Sequence, residues 1–294
     1  MKRTCQSEYG ALQSVFIKKA SDAFIDQNII ARQWKQLNFL SEPNGLVAEH
    51  ESALFEELLK STGAEVKFFT KDNSVSLDSI YCRDASIATD EGIILCNMGK
   101  VARQDEPIAA AKVYRELGIT ILGEIKGSAT VEGGDVAWLD PNTLAVGRTY
   151  RTNEEGIQQL RELLEPAGIQ IIEVHLPHYK GPTDVFHLMS IFSPVDKDLA
   201  VVYSPLMPIV FRNELIKRGY ALVEVPEGEF DTMGCNVLAV APRQCLMVHG
   251  NTVTKARLQA AGCHVKEYAG QEISYKGGGG PTCLTRPLWR KIEA

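Results

Sequence analysis

Short apolar runs and amphipathic segments alternate along the chain in a repeating order. In the second half, VAWLD and TLAVG precede a helical segment from about Glu154 to Glu165, which is followed by IQIIEV. HLMSIF and LAVVYS, a helix near Phe211 to Arg218 and ALVEV make the next set; NVLAVA and CLMVHG, a helix near Thr254 to Ala261 and HVKEY make another. Toward the N-terminus, SIAT, GIILCN, Pro107 to Leu117 and ITIL form a fourth. LQSVFIKK, an amphipathic segment carrying Leu46, Leu54 and Leu58, and EVKFF form a longer, less regular fifth. Short apolar runs bounded by turn residues read as strands and the longer periodic segments as helices. The expected fold is α/β, a ββαβ unit used five times at a period of about 50 residues.

That period selects residues. At or just before the first strand of successive units stand Asp84, Asp135, His187 and Asn236, spaced by 51, 52 and 49, and Cys283 follows 47 later, where a sixth unit would begin. Five equivalent units closing around a pseudo-fivefold axis bring these positions to one end of it, and closure limits the exposed edges that short strands leave. A five-bladed α/β propeller, with residues 1–294 as a single catalytic domain, is therefore expected. KGGGGPTC, Lys276 to Cys283, leads to the point of closure, where glycines let main chain approach a ligand closely.

Composition narrows the function. With 294 residues, 45% of them apolar, the chain can bury a large core. A formal charge of −6 without a basic cluster argues against nucleic acid and for a small-molecule partner. No window reaches 18 apolar residues, and MKRTCQSEYG lacks the features of a signal peptide, so a cytoplasmic protein with no membrane partner is expected. Seven cysteines, odd in number and without a CxxC pair, argue against a disulfide framework or a zinc ribbon. Most of them read as small buried apolar residues.

A thiol becomes a nucleophile beside histidine, with a carboxylate holding the imidazole in its tautomer. Cys283, His187 and a carboxylate of VEGGD, Glu132 or Asp135, can fill those roles. Asp78 and Asp84 in LDSIYCRD add two acids suited to a cationic planar group, because carboxylates accept paired hydrogen bonds from a guanidinium. His175, His178 and His187 are the rival metal set, but the proline in HLPH breaks a helical pair and no ligand spacing is matched. Neither GxGxxG nor GxxxxGK[ST] occurs, so no metal and no organic cofactor is expected.

In order along nearly the whole chain, these motifs resemble the guanidino-modifying enzymes of the five-bladed α/β propeller, or pentein, superfamily, which includes arginine deiminases, dimethylarginine dimethylaminohydrolases and amidinotransferases. SEYGALQSVFIKK is similar to the family's first strand, LDSIYCRD to its acidic motif, VEGGDVAWLD to its glycine-acid motif and GRTYRTNEEGI to the following blade. FHLMS resembles the histidine motif, GCNVLAV the fifth blade and GGGGPTC the nucleophile loop. The resemblance implies Cys283 as nucleophile, His187 as general acid and base and Glu132 as its supporting carboxylate. It implies Asp84 and Asp78 as holders of the guanidinium, with Asp135 counted among the substrate-binding acids. Arg103 and Arg151 resemble the two arginines that grip the substrate carboxylate in the dimethylarginine hydrolases.

Two positions depart from the pattern. The deiminases carry HLD where this chain has HLM, so the second acid is missing and Met189 stands in its place, similar to the dimethylarginine hydrolases, whose motif also lacks that acid; CRD, by contrast, is closer to the deiminases. The implied activity is cysteine-dependent hydrolysis of arginine or an N-methylated arginine through a covalent thiouronium, giving a ureido product such as citrulline plus an amine or ammonia. Amidinotransfer shares the first half-reaction, and a non-catalytic propeller binding protein would share the architecture alone. The sequence leaves oligomerisation open.

Overall fold

A computed structural model describes residues 1–293. Five three-stranded sheets share one plan, an antiparallel pair followed, after a helix, by a third strand parallel to the second. Ser86–Thr89, Gly92–Leu95 and Ile121–Glu124 form one such sheet, with helix Glu106–Glu116 in the crossover. Val136–Asp140, Thr143–Arg148 and Gln170–His175 form the next, around helix Glu154–Leu164. Phe192–Asp196, Leu199–Val202 and Ala221–Glu224 follow with helix Ile209–Lys217, then Leu238–Ala241, Gln244–Val248 and His264–Tyr268 with helix Thr252–Ala260. The strand order and crossovers agree with the periodic reading, with helix ends displaced by about two residues, the usual uncertainty at termini.

The irregular unit is completed from the far end of the chain. Ser14–Ile17 pairs in parallel with Glu65–Phe68, and its antiparallel partner is Arg286–Pro287, just past Cys283. Where a sixth unit would begin, the chain instead supplies the missing strand of the first. A further small sheet joins Lys2–Thr4 and Ala11–Leu12 through Arg290–Ile292.

Middle strands such as Leu199–Val202 are buried throughout, which explains their unbroken apolar runs: they are covered on both faces. Helices cover the sheets with one apolar side. Asn153 caps helix Glu154–Leu164 by accepting the Gly156 N–H, two glutamates occupy its first turn, and Ile157, Leu160 and Leu164 face inward.

Helix Gly45–Lys60 corrects the periodic reading. Leu46 and Leu54 are exposed, and the inward stripe is Ala48, Ser52, Phe55 and Leu59 with Glu51 beside it. The face is set by partners: Glu51 accepts the N–H groups of Gln271, Glu272 and Ile273, and Ser52 accepts that of Ala20. Buried polar groups with matched donors are tolerated inside, so hydrophobicity alone chose the wrong side.

Candidate active site

Asp84, Asp135, His187, Asn236 and Cys283 each lie a few residues before the first strand of a sheet, Ser86, Val136, Phe192, Leu238 and Arg286 respectively. His187 is thus not on a strand; it precedes the short turn Leu188–Ser190, and Ser190 Oγ accepts its backbone N–H. A cavity of about 400 Å³ opens at this end, with Cys283, His187, Asn236, Asp78, Arg151 and Met189 in its wall.

His187 Nε2 lies 2.7 Å from Glu132 Oε2, both side chains being buried. Glu132 Oε1 accepts the Lys100 backbone N–H at 3.0 Å, and Arg151 Nη1 approaches both carboxylate oxygens at 3.4 Å. Burial pushes the Glu132 carboxyl up, but the hydrogen bond and charge of His187 and the charge of Arg151 outweigh it and hold Glu132 well below the usual carboxylate range. Burial pulls His187 down, yet the charges of Asp135 and Asp84 and the bond to Glu132 push it up to about 9. These contacts favour the imidazolium form. Its Nδ1 lies over Gly134, where a Cβ would come within 2.4 Å of that nitrogen and 2.8 Å of Asp84 Oδ1.

Cys283 is half-buried, and Asn236 Nδ2 donates to its Sγ at 3.2 Å. Burial and the charge of Asp84 push the thiol up, against the lowering contacts of Asn236, Thr282 and the Gly280 N–H. Sequence reasoning placed Asn236 in register but gave it no role. Its Oδ1 also accepts the N–H and hydroxyl of Thr282, so it fixes the nucleophile loop from both sides.

The glycine run has steric causes. A Cβ at Gly277 or Gly279 would meet the Tyr81 side chain at 2.0 or 2.4 Å, and one at Gly280 would meet Asn236 at 2.5 Å. Gly278 has φ +77, which favours glycine. Tyr81 thus pairs with the loop across 200 residues of sequence, a relationship no local signal announces.

The two sequence-selected acids of LDSIYCRD differ. Asp84 gives Oδ2 to Arg103 at 2.6 Å, while its Oδ1 is buried without a partner among the described residues. Asp78 lines the cavity and holds Lys100 Nζ at 2.6 Å; that ammonium also donates to Leu37 O at 2.9 Å. Lys100 was not expected.

Two expected substrate contacts are occupied otherwise. Arg103 is buried, with Nε and Nη2 on the Glu106 carboxylate, Nη1 on Asp84 and Nη2 also on Tyr81 O. Most of its N–H groups are committed inside the protein although it also borders the cavity, so its hydrogen bonds favour positioning Asp84 over gripping a carboxylate. Asp135 lies behind the cavity wall: Oδ1 accepts the Leu188 N–H at 3.0 Å and Oδ2 the Thr149 hydroxyl at 2.7 Å, tying down the turn that follows His187. Arg151 does line the cavity, and its contacts of 3.3 to 3.4 Å to Asp184 O and Glu132 are loose.

Of the three histidines weighed as metal ligands, His178 bonds Tyr150 and His175 faces Glu173, apart from the pair made by His187. Ligand atoms of Asp84, Glu132 and His187 do lie within 4.8 Å of one another, but Glu132 and His187 are joined by their own hydrogen bond. Among the described residues, no helix is long and apolar enough to cross a membrane.

An α/β chain of repeated three-stranded sheets, with a cysteine and a carboxylate-bound histidine lining one cavity, is of the pentein class. A model of the family described as N,N dimethylarginine dimethylhydrolase, eukaryotic, matches residues 20–290, and the chain belongs to that family. It is 29% identical over 291 residues to the uncharacterized protein YkgA of Bacillus subtilis (strain 168), covering 98% of this chain and 96% of that one. It is also 29% identical over 199 residues to the arginine deiminase of Mycoplasma capricolum, covering 55% of this chain but only 47% of the deiminase. Among solved structures, a mutant of the DDAH from Pseudomonas aeruginosa complexed with citrulline superposes with a TM-score of 0.75 at 19% identity, over 94% of this chain and 98% of that one. SxtG, an amidinotransferase from Microseira wollei, superposes with a TM-score of 0.78 at 15% identity, over 98% and 97%. These likenesses show the fold.

Proposed function

We propose that the protein is a cysteine-dependent hydrolase of a guanidino compound, arginine or an N-methylated arginine, acting in the cytoplasm, where a reducing environment keeps the thiol free. In this reading the five like sheets are the blades of a propeller, and residues 1–294 form one catalytic domain. The observation that carries it is the single cavity lined by Cys283, His187 and the carboxylate of Asp78, with the unpartnered Oδ1 of Asp84 buried close behind it beside His187 and Glu132. A buried carboxylate oxygen without a donor is costly, and a guanidinium N–H answers it.

The chemistry follows from the charges. Burial and Asp84 favour the thiol form of Cys283; a guanidinium entering beside it favours the thiolate, with the thiol proton passing to solvent, so the nucleophile forms when substrate is present. Sulfur attacks the guanidino carbon, forming a C–S bond. The His187 imidazolium gives its proton to the departing nitrogen as the C–N bond breaks, leaving a thiouronium on Cys283. Neutral His187 then takes a proton from water, whose oxygen attacks the same carbon, and the C–S bond breaks to release the ureido product. Glu132 holds the imidazole throughout, and Asp84 fixes the guanidinium in line with the sulfur.

A panel of arginine, monomethylarginine, asymmetric dimethylarginine and agmatine tests this, with ureido product, ammonia and alkylamine measured separately. Ureido product from at least one is expected. Release of amine without ureido product, with transfer to an added amine, would assign amidinotransfer; inert Cys283 with every compound would leave only a binding role.

A further inference from the structure

Three arginines are buried together with one carboxylate; none of them lines the Cys283 cavity, although the Arg83 backbone N–H donates to Cys283 O at 3.2 Å. Arg83, Arg286 and Arg290 are 1%, 6% and 0% exposed, and Glu8 is 7% exposed. Arg83 Nη2 meets Glu8 Oε1 at 2.8 Å. Arg286 Nη2 donates to Arg83 O at 2.7 Å, and Arg290 Nη1 donates to Gly10 O and Ala239 O. These contacts reach strands of several sheets, so the group sits where the sheets meet.

The donors are under-used. Nε and Nη1 of Arg83, Nε of Arg286, and Nε and Nη2 of Arg290 are buried with no partner among the described residues. Native proteins rarely leave such groups unmatched. The charge is under-matched too: three guanidinium groups face one carboxylate, and Asp84, next to Arg83 in the chain, gives its side chain to Arg103. Tyr114, Cys82 and Cys96, also near Arg286, are pushed up by burial and carry no charge. Burial lowers Arg286 and brings Arg290 down to about 10, with the neighbouring arginines adding to the effect despite Glu8.

We propose that this buried centre is a binding site for a small monovalent anion, of the size and charge of chloride, held by the unpartnered N–H groups of Arg83, Arg286 and Arg290. Water alone would accept the N–H groups but leave the excess positive charge; an anion answers both. The site is distinct from the substrate cavity, and its occupant holds together strands from both ends of the chain.

Crystals of the full chain grown in bromide provide the direct test, with an anomalous peak expected among the three guanidinium groups. In solution, thermal unfolding in chloride and in gluconate at equal ionic strength should diverge, with a saturable rise in Tm of about 5 °C at 100 times the Kd. Arg290→Met should remove that difference. Ordered water without a peak, a peak with identical Tm in both salts, or a chloride effect that survives in Arg290→Met each overturns the proposal. If the variant does not fold, the diffraction and the two-salt comparison on the unaltered protein still decide it.

Discussion

Arg103 Nη1 donates to Asp84 Oδ2 at 2.6 Å, tying together two residues 19 apart in the chain. It commits one arm of the arginine inside the protein and leaves Asp84 Oδ1 buried without a partner among the described residues. Arg103→Ala should therefore lower stability by about 3–5 kcal/mol, the cost of stranding buried charges, as read by urea unfolding. Arg151→Ala should instead raise KM by about 10- to 1000-fold for substrates with a free carboxylate, from loss of roughly 1.5–4 kcal/mol of charge-assisted contact, with little effect on agmatine. Equal KM losses on arginine and agmatine for Arg151→Ala would sink its assignment.

Cys283 should react with iodoacetamide ahead of the other six cysteines, because they are buried and it is only half-buried. Its reaction should be slow at neutral pH, since burial and Asp84 hold the thiol up. Peptide mapping checks the order, and saturating substrate should block the label. Cys283→Ser should keep the fold and lose turnover; appreciable activity in the serine variant contradicts the assignment.

Gly280→Ala would place a Cβ 2.5 Å from Asn236, which holds Cys283 Sγ. The expected result is a fall in kcat of about 100-fold, the scale of a displacement of about 1 Å at a reacting group. Gly63→Ala, whose Cβ meets nothing within 4 Å but whose φ is +84, should cost stability and leave kcat unchanged. Similar kcat losses in the two variants would show that the loop contact is not what matters.

His187 is raised in the folded chain to about 9 from an ordinary value near 6.5. The folded state thus prefers the imidazolium, so this stabilisation is complete below about pH 6.5 and is lost as pH rises through about 9, by at most roughly 3–4 kcal/mol. Denaturant unfolding at pH 6, 7.5 and 9 should show the decline, and His187→Gln should lack it. The same loss of imidazolium should end turnover on the alkaline side.

Met189 is buried in the cavity wall where an acid would face a guanidinium edge. Apolar and flexible, it leaves room for methyl groups. N-methylated arginines should react within about tenfold of the best substrate, about 1.4 kcal/mol in the barrier, and Met189→Asp should shift preference toward arginine. Comparison of kcat/KM for arginine, monomethylarginine and asymmetric dimethylarginine on both proteins measures this; strict rejection of the methylated compounds moves the unmodified protein toward deimination.

The repeat and the register of Asp84, Asp135, His187, Asn236 and Cys283 were legible in the chain alone, because strand and helix periodicities are local properties of a sequence. Individual partnerships were not. Arg103 and Arg151 look alike in sequence and both border the cavity, yet Arg103 makes close ion pairs with Glu106 and Asp84 while the contacts of Arg151 are looser. Asp135 and Glu132 share one motif, yet one braces a backbone turn and the other an imidazole. The four glycines announced a close approach, but that it is to Tyr81 and Asn236 depends on sheets formed by distant segments. A charged or polar side chain takes whichever donor or acceptor the packed fold leaves within about 3 Å, and that choice is made only when residues far apart in the chain are brought together.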